Sequence, residues 1–178
     1  MTRPGRLGAL FALVASASAL LALQPVHAAA ASVVPFSARM YLCSFEPEID
    51  RVSGNKMLHL YNAVNHNLWV ATTPLITGWE DNTVDGTINL EKGTGVAHAH
   101  SVMRPFAYDA TWQVVVQLTV TPSGLDAYGI GHGTGALRGM TMKFRGAGAI
   151  DLQPGENPCS DVFLFAGLLD GEILVPGS

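Results

Sequence analysis

The chain has 178 residues, of which 48% are hydrophobic and only 13% charged, and its formal net charge is −4 at pH 7. A chain of this length forms one ordinary domain around a single core. The acidic balance argues against nucleic acid and anionic membrane surfaces as partners, since both attract clustered lysine and arginine.

The first 28 residues are typical of a secretory signal peptide. Arg3 and Arg6 supply the positive start, residues 7–23 are apolar and rich in Ala and Ser, and Val26-His27-Ala28 is a small-x-small cleavage site. We expect cleavage after Ala28 and a secreted or periplasmic protein in which residues 29–178 form one domain. An uncleaved anchor is the alternative. The rest of the chain has no second run of about 18 apolar residues, so we expect no membrane span in the mature protein.

Alternation of apolar and polar residues predicts strands along most of the mature chain. The first predicted strand covers residues 34–42. Two shorter ones, 58–64 and 68–72, flank Asn65-His66-Asn67, which we expect to be a turn. Further strands are predicted at 84–90, 96–102, 112–120, 140–144 and 162–175, the last divided by a hairpin turn at Asp170-Gly171.

A glycine cluster precedes the strand at 140–144. Its members are Gly129, Gly131, Gly133, Gly135 and Gly139. Because a strand pattern and not a helix follows, the cluster predicts a barrel corner or a bulge. The spacing of Gly131, Gly133 and Ala136 formally fits a dinucleotide fingerprint, but that site needs a helix start. We therefore expect no cofactor.

These patterns together predict an all-β protein. About eight strands, joined by Gly, Pro and Asn turns, close into an antiparallel barrel or fold as a β-sandwich.

The predicted mature chain has a formal net charge of about −6, because the leader contains Arg3 and Arg6 but no acidic residue.

One family shares several of these features. The segment Gly131–Met140, with Trp112 upstream and Asn157-Pro158-Cys159 and residues 168–174 downstream, resembles the exported bacterial proteins grouped as allene oxide cyclase barrel-like or dirigent-like. The resemblance covers the C-terminal half of the chain. It implies a closed antiparallel barrel, often with an apolar cavity, and forms that are often trimeric in plants. A small hydrophobic ligand and a homo-oligomer are the partners it implies.

The two cysteines, Cys43 and Cys159, both lie in the mature chain. Export places them where disulfides persist, so we predict that they pair and tie an early strand to the segment before the last one. In the chain-entropy model a loop of this length is worth roughly 4 to 5 kcal/mol. Two unpaired buried thiols are the alternative.

Three histidines are candidate metal ligands. His98 and His100 are separated by one residue on a predicted strand, so both imidazoles lie on one face. With His132 they could hold zinc or copper, with Asp85 or Asp109 completing the shell. We expect the alternative, in which the histidines lie on the barrel wall and bind no metal.

The remaining polar and aromatic residues identify no catalytic group. Glu46 and Glu48, and Glu80 and Asp81, lie in turn-like surroundings, where we expect solvated loop charges. Three tryptophans serve either as core or as the lining of an apolar pocket: Trp69, Trp79 and Trp112.

Three functions therefore stay open. The first is an exported barrel, without enzymatic activity, that binds a small apolar or amphipathic molecule in its interior. The second is a cyclase or isomerase acting on a hydrophobic intermediate, which requires an inward-facing carboxylate or histidine in an apolar pocket. The third is a structural module of the cell envelope that acts through a barrel face.

Overall fold

The computed structural model describes residues 30–46, 49–53 and 56–177, and the predicted signal peptide at 1–28 lies outside the described residues. This part of the chain contains one short 3-10 turn, Gly135–Leu137, and nine strands. The strands are β1 (Ser32–Glu46), β2 (Ile49–Ser53), β3 (Met57–Ala71), β4 (Gly78–Asn89), β5 (Thr94–Pro105), β6 (Trp112–Thr121), β7 (Gly124–Gly133), β8 (Thr141–Asp151) and β9 (Phe165–Val175). Among the described residues, no helix is long and apolar enough to cross a bilayer.

Eight of the strands form a closed antiparallel barrel. From β3 to β9 each strand pairs with its neighbour in the chain, β9 pairs with β1, and β1 pairs with β3 to close the ring. β2 pairs with the N-terminal part of β3 and stands outside the ring. Neither β2 nor β7 is among the predicted strands, and the two strands predicted at 58–64 and 68–72 are the single strand β3. The predicted barrel is confirmed, and the sandwich is not formed.

Alternation along each strand sends every second side chain into the barrel. One end of the interior is packed solid, and Ile76 and Leu137 plug it from the β3–β4 and β7–β8 connections. Inward-facing side chains fill the space beneath them. Those without measurable exposure are Met103, Trp112, Met142 and Ile173.

The predicted disulfide is confirmed. Cys43 in β1 is bonded to Cys159 in the long connection between β8 and β9, with 5.2 Å between their Cα atoms. Asn157 fixes the same connection, because its Nδ2 donates to the carbonyl oxygens of Leu42 at 3.0 Å and Phe163 at 2.7 Å. The connection thus lies against the outside of β1.

The glycine cluster has a different role from the one predicted. Gly129 and Gly131 lie within β7 and face inwards, where the ring of Phe144 and the side chain of Met142 occupy the space that a Cβ would need. They make room for large core residues and form neither a corner nor a bulge. Gly139, with φ of +86°, does form a turn, which leads into β8.

Two predicted turns are wrong. Asn65-His66-Asn67 lies inside the continuous strand β3, paired with Asn82, Asp81 and Glu80 of β4. The pair Asp170-Gly171 lies inside β9. Gly171 is needed there because a Cβ would overlap the carbonyl oxygen of Lys143 and lie 2.5 Å from Phe36 Cζ.

We predict that Gly171→Ala destabilises the barrel by about 1 to 3 kcal/mol, the usual cost of overpacking a core. Gly167→Ala is the matched control, because Gly167 lies on the same strand and a Cβ there would meet only Met40, whose flexible Cε is the nearest atom at 3.4 Å. Its free energy of unfolding should change by less than about 1 kcal/mol. Urea denaturation measures both, and equal losses for the two variants would contradict this packing.

Candidate functional site

A cavity of about 200 Å³ occupies the end of the barrel opposite the packed end. All eight barrel strands contribute to its wall, mostly with apolar side chains. Leu125 and Phe165 line it and are also partly exposed, at 43% and 37%, so the cavity opens to solvent beside them. Trp69 and Phe144 meet edge to face at 5.2 Å between ring centroids and form its inner limit.

Glu80 is the one carboxylate among the described residues that line this cavity. It projects inwards from β4 and is only 1% exposed. Its Oε2 accepts two hydrogen bonds, from Asn67 Nδ2 at 2.9 Å and from Trp69 Nε1 at 2.8 Å. Both donors come from β3, where Asn67 lies directly opposite Glu80. No described side chain donates to Oε1, so the carboxyl group is anchored through one oxygen only.

Glu80 belongs to a band of inward-facing polar residues that crosses three strands and that we call the polar stripe. Its members are Asn65 and Asn67 of β3, Glu80 and Asn82 of β4, and Ser101 of β5. One row across the sheet runs from Asn65 through Asn82 to Ser101.

The polar stripe contains every buried side-chain polar atom of the described residues that has no hydrogen-bond partner. These atoms are Asn65 Oδ1, Asn67 Oδ1, Asn82 Oδ1 and Ser101 Oγ. A buried polar group without a partner costs about 1 to 3 kcal/mol, so native proteins supply a partner from protein, water or ligand. Asn65, Asn67 and Asn82 also line the cavity, whereas Ser101 does not, so small side-chain movements would bring three of these oxygens to a molecule inside it.

The sequence prediction for Glu80 as a solvated loop charge is wrong, and a signal in the sequence could have identified it. Glu80, Asn82 and Val84 alternate with Trp79, Asp81 and Thr83, and Val84 is a core residue. Counting back by two from Val84 places Glu80 on the inner face. Asp81, the other member of that predicted pair, faces the outside of the barrel, and Glu46 is exposed at the end of β1. Glu48 is not among the described residues.

The structure does not bring the three candidate histidines together. His98 and His100 lie on the outer face of β5 and His132 on the outer face of β7, all exposed, with β6 between them. Asp85 lies opposite His98 but accepts a hydrogen bond from the backbone N–H of Asn62 at 2.9 Å. Within residues 30–46, 49–53 and 56–177, no three His, Cys, Asp or Glu side chains are grouped to hold a metal ion.

A charged and aromatic cluster lies on the outer wall behind the polar stripe. His66 Nδ1 lies 2.6 Å from Asp81 Oδ1, Arg104 Nη1 donates to Asp81 Oδ2 at 2.5 Å, and the His66 ring stacks on Trp79 at 4.9 Å. Partial burial by itself would raise the pKa of Asp81, but hydrogen bonds and charge from His66 and Arg104 outweigh it and hold that pKa below its usual value. Trp79 is thus an outer-wall residue, whereas Trp69 and Trp112 are buried.

Comparison with known proteins assigns no function to the cavity. No family model, curated protein or solved structure matches this chain. The chemistry of the cavity therefore follows from its own residues.

We predict that Asp81 makes the barrel more stable above pH 4 than below it. In the folded state its pKa is below the ordinary value of 3.8. Its contribution to the free energy of unfolding is therefore complete above pH 3.8 and is lost as the pH falls through the folded-state pKa. The stability difference between wild type and Asp81→Asn should therefore shrink on acidification.

Urea denaturation between about pH 6 and pH 2 measures this difference. Asp126→Asn is the control, since Asp126 is exposed on β7 and forms no ion pair with a described residue. A wild-type advantage over Asp81→Asn that stays constant down to the lowest pH would contradict the role of this cluster.

Proposed function

We propose that the barrel binds a small amphipathic molecule, with its apolar part in the cavity and its polar group against the polar stripe. The observation that carries the proposal is the buried Glu80 beside unpartnered Asn65, Asn67 and Asn82 oxygens in a largely apolar chamber. Ligand sites in proteins typically combine an apolar wall with a few convergent polar groups. A barrel that needed only stability would fill this space with apolar side chains.

The cavity limits the size of the ligand. An engineered protein cavity of about 150 Å³ binds benzene, and this one has about 200 Å³. It therefore suits a single ring or a short alkyl chain. A longer molecule would extend through the opening beside Leu125 and Phe165.

A location outside the cytoplasm is part of the proposal. The Cys43–Cys159 disulfide supports it, since such bonds persist in oxidising compartments. Membership of the allene oxide cyclase barrel-like or dirigent-like group stays a prediction, which the closed eight-stranded barrel supports. Homo-oligomer formation also stays a prediction. A purely structural envelope module accounts less well for the polar stripe, because an interaction through the outer wall needs no polar groups inside.

We predict that Val116→Phe abolishes binding of a neutral probe such as hexanol. Val116 is 7% exposed and lines the cavity, so a phenyl ring there takes up the space that the probe needs. The fluorescence of Trp69 in the cavity wall, or saturation-transfer NMR on the probe, measures binding.

Val115→Phe is the matched control, because Val115 is the next residue of the same strand but faces outwards and is 52% exposed. It should bind hexanol like the wild type. Leu118→Phe, nearer the opening, replaces Val116→Phe if that variant does not fold. No binding by the wild type, or equal binding by the inward- and outward-facing variants, would refute the proposal.

A second candidate function is proton-transfer catalysis, as in an isomerase or cyclase. Such an enzyme needs an inward carboxylate in an apolar pocket, and Glu80 meets this requirement. With Oε2 held by Asn67 and Trp69, Oε1 can take a proton from one carbon of a bound molecule and return it to another. The overall isomerisation needs no additional reactant.

A nitrobenzisoxazole tests this candidate, because removal of its ring proton by a base breaks the N–O bond and releases a coloured phenolate. If Glu80 is an accessible base, Glu80→Gln should lower the rate by about a hundredfold, whereas Val115→Phe should not change it. Hexanol binding without any acceleration of this reaction would leave the barrel as a binding protein and eliminate the enzyme.

A further inference from the structure

We infer that the polar group of the cavity's ligand is a cation rich in N–H donors, such as an alkylammonium. This inference rests on the proposed function and specifies its ligand class. The juxtaposition that carries it is a carboxylate and several unpartnered acceptor oxygens in a cavity wall without a basic side chain.

The hydrogen bonds within the polar stripe determine which atoms are left for a ligand. Asn67 Nδ2 donates to Glu80, so the orientation of this amide is set and the unpartnered Asn67 atom is its Oδ1, an acceptor. Asn67 is 1% exposed. Glu80 Oε1 has no donor among the described side chains, and a carboxylate oxygen accepts. Two residues that are hydrogen-bonded to each other thus each keep one acceptor oxygen without a side-chain donor.

The next row of the stripe adds two more buried oxygens. Asn65 and Asn82 lie opposite each other and line the cavity, and each has an amide oxygen without a partner, beside an Nδ2 group that donates to no described side chain. An alkylammonium offers three N–H donors and no acceptor, whereas an alcohol offers one donor and a carboxylate none. The ammonium is therefore the head group whose hydrogen-bonding capacity the stripe matches best.

Charge points to the same class of ligand. None of the described residues that line the cavity is a lysine, an arginine or a histidine. His66 and Arg104 lie on the outer wall and bind Asp81, and His98 and His100 of β5 also face outwards. A buried carboxylate is costly unless a cation or a full set of donors compensates it. A cationic ligand supplies both the charge and the donors.

Three probes of equal chain length test the inference: hexylamine, hexanol and hexanoate. We expect the wild type to bind hexylamine about tenfold or more tightly than hexanol, and hexanoate most weakly, because hydrogen bonds between charged groups exceed neutral ones. Glu80→Gln preserves the shape of the side chain and should weaken hexylamine binding by about ten- to a hundredfold. Hexanol binding should weaken much less, because a hydroxyl group carries no charge.

Glu172→Gln is the matched control, since Glu172 is exposed on the outside of β9, and it should bind all three probes like the wild type. If Glu80→Gln does not fold, the wild-type ranking of the probes decides the question alone. The inference would be overturned if hexanoate bound as tightly as hexylamine, or if equimolar calcium displaced bound hexylamine. In the latter case the stripe is a metal site.

The experiment separates failure of this inference from failure of the proposed function. If hexanol and hexylamine bind equally and Val116→Phe abolishes both, the cavity binds amphipathic molecules but does not select cations. If none of the three probes binds, the proposed function fails as well.

Discussion

Pairing between β1 and β3 closes the ring, and without it the sheet would have no enclosed interior. The register joins Ala38 to Ala71 at one end of the seam and Glu46 to Val64 at the other. Closure encloses the inner face of β3, and with it Asn67 and Trp69, the two donors that hold Glu80. The register shifts between Leu42 and Ser44, and Cys43 is the extra residue at this irregularity. The disulfide therefore fixes the chain at the seam itself.

The two ends of the barrel interior differ, because one end is packed with side chains and the other holds the cavity. At one end large apolar side chains and the plugs Ile76 and Leu137 fill the interior, and inward glycines of β7 and β9 give those side chains room. At the other end small residues and the polar stripe leave a chamber with unpartnered acceptors. Buried polar groups without hydrogen-bond partners reduce stability, and proteins retain such groups mainly at functional sites. The packed end supplies the rigidity that keeps the stripe in place.

Alternation is a local signal, and it was sufficient to predict the all-β class, the barrel and most of the strands, but not β2 or the glycine-rich β7. The disulfide was predicted from the expected export of a chain with two cysteines. The predictions failed where tertiary context overrides residue preference. Asn65-His66-Asn67 has the composition of a turn, yet its asparagines lie in a strand because they pair with Asn82 and Glu80 of the neighbouring strand β4. Asp170-Gly171 has the composition of a hairpin, but Gly171 is required where strand backbone and Phe36 approach closely. The polar stripe joins distant segments, so only the register of β3 to β5 reveals it.

The hydrogen bond from the Trp69 indole to Glu80 can be measured in solution, and it exists only if the carboxylate lies inside the closed barrel. Proton–nitrogen NMR resolves the three indole N–H groups, and Trp112, whose N–H donates to the Leu75 carbonyl oxygen at 2.8 Å, is the internal reference. We expect the Trp69 N–H to be protected from exchange with deuterium, and its resonance to move in Glu80→Gln while that of Trp112 does not. Rapid exchange of the Trp69 N–H, or a spectrum in which Glu80→Gln leaves it in place, would contradict the account.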